Sequence, residues 1–414
     1  MPDIKDALID MNPWWKRDAK LEFKDRDIYA KIKKFLPLPQ IIAFTGLRRV
    51  GKTTLMLKIL NDYIDGGFEK RNIIYFSFDE FKSIEIRQIL REFEELNKRD
   101  IHQGKYILIL DEVQRLENWE YQLKSIYDNF KGNIKILASG SESLFIKRKA
   151  KAALAGRIFE FKVESLTFKE FLYFKDKKLK EPALYKRELQ ELFEEFMFTQ
   201  GFPELVGIKD KEIIKKYIKE GIIDKIIYKD IPGLFNIKDP SLLDRLLNIF
   251  MEEPGQIVDL SDLADDLGIT RQTLSNYLGY LEGSFLIRKL YNFSKNRRKI
   301  ERKLKKYYPA IISVNLLFKE DALARSRVFE WLMVMQLKAE FFWRDSYKNE
   351  VDIVSDRDIP IEIKYGKVDY KGVEQFMDKF NINKGYIISQ KEEKQKAINK
   401  RKIMVIPAYR FLLE

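Results

Sequence analysis

One nine-residue stretch near the amino end constrains the fold of this chain more than any other. Residues 46–54 read Gly-Leu-Arg-Arg-Val-Gly-Lys-Thr-Thr, which fits the pattern G-x-x-x-x-G-K-[ST] of a phosphate-binding loop, or P-loop. A continuous apolar run at 41–44 precedes the loop, and leucine and isoleucine recur at helical spacing behind it. The sequence therefore predicts a buried strand, a P-loop and a helix in that order, which is the context this motif requires.

The residue types in this loop suit a nucleoside triphosphate and its magnesium ion. The two glycines let the backbone bend so that successive N–H groups face one phosphate. Lys52 brings a positive charge to the β- and γ-phosphates, and the hydroxyl of Thr53 is a ligand for Mg²⁺. The amino terminus of the helix adds partial positive charge. The predicted nucleotide-binding residues are Gly46, Arg49, Gly51, Lys52, Thr53 and Thr54.

A second apolar strand pattern, at 106–110, ends in two acids, Asp111 and Glu112. In P-loop enzymes an acid at such a strand end completes the Mg²⁺ shell, so Asp111 is a predicted metal ligand. Glu112 is the predicted catalytic residue, because its carboxylate is placed to orient or deprotonate the attacking water. The alternative is a pair of solvated acids at a strand end.

Three further groups in this part of the chain each have more than one interpretation. Ser139 and Ser141 follow an apolar strand, either as sensors of the γ-phosphate or as a turn. Arg157 is either a candidate catalytic residue that stabilises transition-state charge or a surface arginine. In the first case it acts on its own chain or on a neighbouring chain. The adjacent Trp14 and Trp15 cover the nucleotide base or the sheet edge, or they pack in the core, which burial tendencies favour.

The chain beyond the first 165 residues changes pattern twice. Residues 166–240 have helical periodicity and are expected to pack beside the nucleotide as a lid. Within 241–295 a short helix, a turn and a second helix capped by Thr270 precede strand-like residues, as in a winged-helix module. Such modules bind DNA or proteins, and both partners stay open. The outward residues of the second helix, which can reach phosphates or base edges, are Arg271, Gln272, Ser275 and Asn276.

The densest basic run of the chain follows at 295–308, with tyrosines at its end. Lysine and arginine at this density suit neutralisation of a DNA backbone, since each contacted phosphate releases counterions. A solvated linker is the alternative interpretation.

The carboxyl-terminal part carries a second set of charged residues. Glu330 lies in an apolar helical pattern, where a carboxylate is costly without a partner or a metal. Two strand-like segments joined by a polar turn carry Asp352 and the sequence Glu362-Ile363-Lys364, and alternation puts Glu362 and Lys364 on one face. This group predicts Mg²⁺ held by Asp352 and Glu362, with Glu330 and Lys364 as catalytic residues for phosphodiester hydrolysis. Surface strands with an ordinary ion pair are the alternative.

Composition narrows the classes of function. The 414 residues carry a net charge of +13, which favours nucleic acid over acidic small molecules as a partner. The absence of cysteine excludes disulfides, thiolate catalysis and the common zinc sites. No signal peptide is evident, and the apolar runs are shorter than the ~18 residues of a membrane span, so we expect a cytoplasmic protein without a membrane partner.

These motifs together resemble those of archaeal and bacterial AAA-type ATPases with a winged helix and a carboxyl-terminal domain like a restriction endonuclease. The resemblance implies an α/β fold: a P-loop parallel-sheet ATPase core at 1–165, a helical lid at 166–240, a winged helix at 241–295 and an α/β nuclease-like domain at 296–414. Glu330, Asp352 and Glu362-Ile363-Lys364 match the PD-(D/E)XK nuclease signature, whose acids hold Mg²⁺.

For function, the resemblance implies ATP and Mg²⁺ as cofactors and ATP hydrolysis coupled to DNA. An ATP-regulated DNA nuclease and a nucleotide-controlled scaffold are the open alternatives, and assembly into a homo-oligomer is open as well.

Overall fold

The computed structural model describes residues 3–16, 23–81, 84–140, 152–177, 184–235, 237, 239–398 and 401–414, with the backbone alone at 301, 302 and 398. The chain divides into two compact units, Met1–Glu164 and Ser165–Glu414. In the part of the chain so described, every helix is too short or too polar to cross a membrane.

A five-stranded parallel sheet is the centre of the first unit. Its strands are β1 (Ile41–Thr45), β2 (Ile73–Ser77), β3 (Tyr106–Asp111), β4 (Ile134–Ser139) and β5 (Ile158–Lys162). They lie in the order β2-β3-β4-β1-β5, and every neighbouring pair is parallel. All residues of β1 and β3 are buried, which explains their continuous apolar sequences. The predicted parallel α/β sheet is confirmed.

Helices follow the strands and cover this sheet. The helix after the P-loop begins where Gly51 adopts a positive φ of 96°, and it buries leucine, isoleucine and methionine along one side. The described helices of the unit are α1 (Ile4–Met11), α2 (Asp27–Lys33), α3 (Lys52–Asp65), α4 (Ile86–Asn97) and α5 (Trp119–Phe130), with short 3₁₀ turns at Pro13–Trp15, Lys70–Asn72 and Val113–Arg115.

The amino-terminal segment covers the edge strand β2. The side-chain amide of Asn12 donates to the carbonyl of Tyr75 at 2.9 Å, and its oxygen accepts the N–H of Tyr75 at 2.7 Å. The indoles of Trp14 and Trp15 are buried and both donate to the carbonyl of Ile73, at 3.3 and 2.8 Å. These side chains satisfy backbone groups that an edge strand would otherwise expose. The two tryptophans thus pack at the sheet edge.

A mixed sheet of nine strands is the framework of the second unit. Its order is β13-β14-β12-β11-β10-β9-β7-β8-β6. Its strands are β6 (Gln256–Val258), β7 (Ile287–Asn292), β8 (Lys305–Pro309), β9 (Phe341–Arg344), β10 (Glu350–Val354), β11 (Pro360–Lys364), β12 (Lys384–Ser389), β13 (Lys394–Ile398) and β14 (Arg401–Pro407).

The basic run at 295–308 does not form a linker between two separate sheets. Its last residues form β8, which pairs antiparallel with both β6 and β7, and β7 pairs in parallel with β9. Lys306, Tyr307 and Tyr308 are buried as a result. The division predicted between 295 and 296 therefore falls inside the β7–β8 pair, because a strand from beyond that point completes the small antiparallel group.

Helices of this unit pack on the sheet and on one another. They are α6 (Phe168–Phe174), α7 (Lys186–Thr199), α8 (Lys211–Ile218), α9 (Ile231–Phe235), α10 (Pro240–Glu252), α11 (Leu260–Asp266), α12 (Arg271–Gly283), α13 (Arg297–Arg302), α14 (Val314–Leu317), α15 (Ala322–Gln336), α16 (Lys371–Phe380) and α17 (Ala408–Phe411), with a 3₁₀ turn at Pro203–Leu205 and π-helical turns at Lys219–Ile223 and Ile226–Asp230.

Helices α6 and α7, which the sequence predicts to act as a lid, share a hydrophobic core with α15. The rings of Phe193 and Phe329 meet at 6.2 Å between centroids. The side chain of Gln336 accepts the N–H of Phe168 at 3.0 Å and donates to the carbonyl of Leu166 at 3.1 Å. The lid function of these helices stays a prediction, and their observed packing partner is the helix that carries Glu330.

Candidate functional site

The P-loop lies at the carboxyl edge of the first sheet, directly after β1. Its backbone conformation requires glycine at the first position: Gly46 has φ +139°, and a Cβ there would lie 2.1 Å from the carbonyl oxygen of Val163. Gly51 and Arg49 also have positive φ, at 96° and 63°. The predicted bend is therefore present, with its sharpest steric requirement at Gly46.

Two residues at the start of α3 reach into this site. Lys52 is 6% exposed, and its ammonium donates to the carbonyls of Gly46 at 3.0 Å and Leu47 at 2.8 Å. The hydroxyl of Thr53 donates to Asp111 Oδ2 at 2.7 Å. A hydroxyl and a carboxylate in contact are the hard oxygen ligands that Mg²⁺ prefers, so this pair fits a magnesium ion. Thr54 is exposed on the same helix.

Asp111, at the end of β3, accepts hydrogen bonds from hydroxyls on two neighbouring strands. Tyr75 donates to Oδ2 at 2.9 Å, and Ser139 donates to Oδ1. Burial and the Asp111 carboxylate raise the pKa of Tyr75, so its hydroxyl keeps its proton. Tyr75 is not among the predicted site residues, and its signal in the sequence is a hydroxyl-bearing side chain inside an apolar strand. Ser141, the other serine considered, lies outside the described residues.

Glu112 follows Asp111 in a left-handed conformation, with φ +56°, that is uncommon for glutamate. Its N–H donates to Ser139 Oγ at 3.1 Å, and its side chain is buried, with the whole residue 9% exposed. Gln114 Nε2 donates to Glu112 Oε2 at 2.6 Å. Arg115 Nε lies 4.0 Å from the same oxygen and its guanidinium contacts Asp79. The carboxylate is thus oriented by Gln114, a residue that sequence analysis also missed.

Arg157 lies near the amino ends of the strands, whereas the P-loop lies at their carboxyl ends. Its carbonyl accepts the N–H of Ile41, the first residue of β1, whereas the P-loop follows the last residue of β1. Its guanidinium donates to Asp128 at 2.8 Å on α5. The length of β1 thus separates Arg157 from the P-loop of its own chain, and its catalytic role, on its own chain or on a neighbour, stays a prediction.

The second unit brings together the charged residues predicted in its hairpin. Strands β10 and β11 pair with Ile353 opposite Ile361, which sets Asp352 across from Glu362. Both acids are 8% exposed. Asp352 Oδ2 accepts the N–H of Ile363 at 2.8 Å, and Glu362 Oε1 lies 2.6 Å from the ammonium of Lys364. Burial raises the pKa of both acids, and their mutual proximity adds to this effect at Asp352.

A lysine that sequence analysis did not single out lies among these acids. Lys306, on β8, is 4% exposed, and its ammonium is 2.5 Å from Glu350 Oε1, 3.7 Å from Glu330 Oε1 and 4.0 Å from Asp352 Oδ1. Tyr308, on the same strand, donates to Glu330 Oε1 at 2.6 Å. No group of three or more acids, histidines or cysteines among the described residues is arranged to hold a metal. The magnesium site predicted here stays a prediction.

The predicted DNA-contacting helix is α12. Its buried side is leucine, and the four outward residues considered above are all exposed. Helix α13 lies in the connection between β7 and β8 and is basic, with exposed side chains at Lys295, Arg297, Arg298 and Lys299 around its start.

Three family models match separate parts of the chain. Residues 38–172 match a family model described as an AAA domain. Residues 190–310 and 326–411 match two domains of unknown function, DUF8612 and DUF4143.

Two uncharacterized proteins of Methanocaldococcus jannaschii are similar over most of their length. MJ1544 is 29% identical over 333 residues, covering 78% of this chain and 71% of the relative, and MJ1637 is 27% identical over 398 residues, covering 84% and 80%. Among solved structures, the Walker-type ATPase PABY2304 of Pyrococcus abyssi superposes with a TM-score of 0.44 at 17% identity, covering 72% of this chain and 95% of that one.

Residues 38–172 are thus similar to an AAA domain, and this part of the chain has a parallel sheet with a P-loop at the end of β1.

Proposed function

We propose that the first unit binds ATP with Mg²⁺ and hydrolyses it. The observation that carries this proposal is the hydrogen bond between Thr53 of the P-loop and Asp111 at the end of β3. It supports a magnesium site at the position where the β- and γ-phosphates of a P-loop nucleotide lie.

Each residue of the site has a role in this proposal. The ammonium of Lys52 and the N–H groups of the loop bind the phosphates, and Thr53 and Asp111 hold Mg²⁺, which neutralises developing charge when it is bound. The carboxylate of Glu112 orients a water molecule and takes up its proton. Gln114 sets the direction of that carboxylate, and Ser139 links the backbone of Glu112 to Asp111.

Steady-state ATP turnover of the full chain tests the proposal. We expect Mg²⁺-dependent turnover that is lost in Lys52→Ala and in Glu112→Gln. Lys186→Ala, an exposed lysine on α7, is the matched control and should leave turnover unchanged. Turnover that persists in both site variants would overturn the proposal.

We further propose that residues 241–309 form a winged helix that engages DNA. Support comes from the order of elements: α10, β6, α11, α12, β7 and β8, with β6, β8 and β7 as the antiparallel sheet. In this interpretation α12 enters the major groove, and the basic connection that contains α13 is the wing, which contacts phosphates. The exposure of Arg271 and of Arg298 supports these two roles.

Binding of a DNA duplex at several salt concentrations tests this second step. We expect affinity that falls steeply with salt, and a salt slope that becomes shallower by about one per lost phosphate contact in Arg298→Ala and Lys299→Ala. Lys186→Ala is again the control. Absence of salt-sensitive DNA binding would overturn this second proposal and favour the alternative of a nucleotide-controlled scaffold.

A further inference from the structure

Lysine and arginine side chains already contact the acid cluster of the second unit. Its four acids are Glu330 on α15, Glu350 and Asp352 on β10, and Glu362 on β11. Three cations contact them: Lys306 lies among the first three acids, Lys364 contacts Glu362, and Arg344 lies 3.4 Å from Glu350.

We propose that the ammonium of Lys306 is the resident cation of this cluster and takes the position that a divalent metal would occupy. The inference goes beyond the proposed ATP hydrolysis, since it concerns residues of the other unit. It departs from the metal-dependent nuclease that the motif Glu330, Asp352, Glu362-Ile363-Lys364 implies.

The geometry around Lys306 supports this assignment. The lysine is 4% exposed, and its ammonium lies within 4.0 Å of oxygens from three carboxylates on two different elements. A magnesium ion between Glu330 and Asp352 would lie within a few ångströms of this fixed positive charge, and like charges in a buried setting repel strongly. A buried lysine is stable in such a place because acids surround it.

The remaining oxygens do not make a metal site while Lys306 is present. Asp352 Oδ2 accepts a backbone N–H, and Glu362 Oε1 contacts Lys364. Glu362 Oε2 is buried and, among the described residues, has no hydrogen-bond partner. Among the described residues, no group of three or more acids is arranged to hold a metal ion, whereas a divalent cation takes several oxygen ligands. Removal of the Lys306 ammonium would leave the carboxylates of Glu330, Glu350 and Asp352 without this cation. These carboxylates and the unpaired Glu362 Oε2 are the kind of oxygen ligands that bind a divalent cation.

Strand β8 explains why the motif alone misleads. The nuclease-like signature begins at Glu330, whereas Lys306 lies on a strand that pairs with β6 and β7. Tyr308, two residues further on, extends from the same face of β8 and donates to Glu330. Strand β8 therefore supplies two side chains to the acid cluster from outside the signature.

Manganese binding to the nucleotide-free full chain, measured by electron paramagnetic resonance, tests the inference. Four forms are compared: the unmodified chain, Asp352→Asn, Lys306→Met, and the double variant. We expect the unmodified chain and Asp352→Asn to bind Mn²⁺ equally, because the P-loop contributes the same to both. Lys306→Met should gain one Mn²⁺ per chain, and the double variant should lose that ion again.

Three results would overturn the inference. The first is weaker Mn²⁺ binding by Asp352→Asn than by the unmodified chain. The second is Mg²⁺-dependent plasmid nicking that Asp352→Asn abolishes. The third is a folded Lys306→Met chain that gains no Mn²⁺. If Lys306→Met fails to fold, the comparison of the unmodified chain with Asp352→Asn still tests the inference. ATP turnover should stay the same in every one of these cases, so failure of this inference is distinguishable from failure of the proposed function.

Discussion

The hydroxyl of Thr53 donates a hydrogen bond to Asp111 Oδ2 at 2.7 Å, which joins the first turn of α3 to the end of β3. The two residues are 58 positions apart in sequence. They come together because β1, which precedes the P-loop, and β3, which ends at Asp111, are both neighbours of β4 in the same sheet. Tyr75 and Ser139 donate to the same carboxylate, so its orientation is set from three sides before any ligand binds.

Thr53→Ala should raise the Mg²⁺ concentration needed for half-maximal ATP turnover by roughly tenfold. The reason is the loss of one oxygen ligand and one hydrogen bond, which is worth about 1–1.5 kcal/mol. The measurement is a Mg²⁺ titration of turnover at saturating ATP. Thr53→Ser keeps the hydroxyl and should behave like the unmodified chain; equal Mg²⁺ dependence of all three forms would contradict the assignment of Thr53.

Glu112→Gln should lower kcat by about 10²- to 10⁴-fold while leaving ATP affinity nearly unchanged, because the carboxylate acts on water and not on the phosphates. Gln114→Ala removes the hydrogen bond that orients Glu112 and should lower kcat by a smaller factor. Single-turnover kinetics with a parallel ATP-binding titration separate these effects. A change confined to ATP affinity in either variant would argue against these roles.

Gly46→Ala should destabilise the first unit. The new Cβ would clash with the carbonyl oxygen of Val163, and the φ of +139° is itself strained for alanine by about 1–3 kcal/mol. Gly279→Ala is the matched control, since it lies exposed in α12 with no atom within 4 Å of its added Cβ. There alanine should stabilise the helix by about 0.5–1 kcal/mol. Urea unfolding of both variants should show a lower free energy of unfolding for Gly46→Ala and a higher one for Gly279→Ala.

Asn12→Ala should lower the free energy of unfolding by about 1–3 kcal/mol, because it leaves the half-buried N–H and carbonyl of Tyr75 without their partner on an edge strand. The control is Asn129→Ala, an exposed residue of α5, for which a change within about 0.5 kcal/mol is expected. Thermal unfolding followed by circular dichroism gives both values. Equal stability of the two variants would show that α1 does not hold β2 through this residue.

The sequence by itself determined the P-loop, the strand before it and the helix behind it. The groups that this site needs all lie within one short stretch of sequence: the two glycines that bend the backbone, Lys52 and the hydroxyl of Thr53. The acids at the end of β3 were predictable for the same reason, since an apolar run ending in Asp111 and Glu112 is local information. Period two likewise predicted that Glu362 and Lys364 share a face.

The tertiary structure decided which distant residues meet these groups. Tyr75 reaches Asp111 only because β2 lies beside β3, and Arg157 is separated from the nucleotide site because β5 runs parallel to β1. Lys306 enters the acid cluster through β8, on a sheet whose order no local pattern specifies. Hydrophobic periodicity records which side of a segment is buried, whereas strand neighbours are chosen by packing and pairing across long sequence separations.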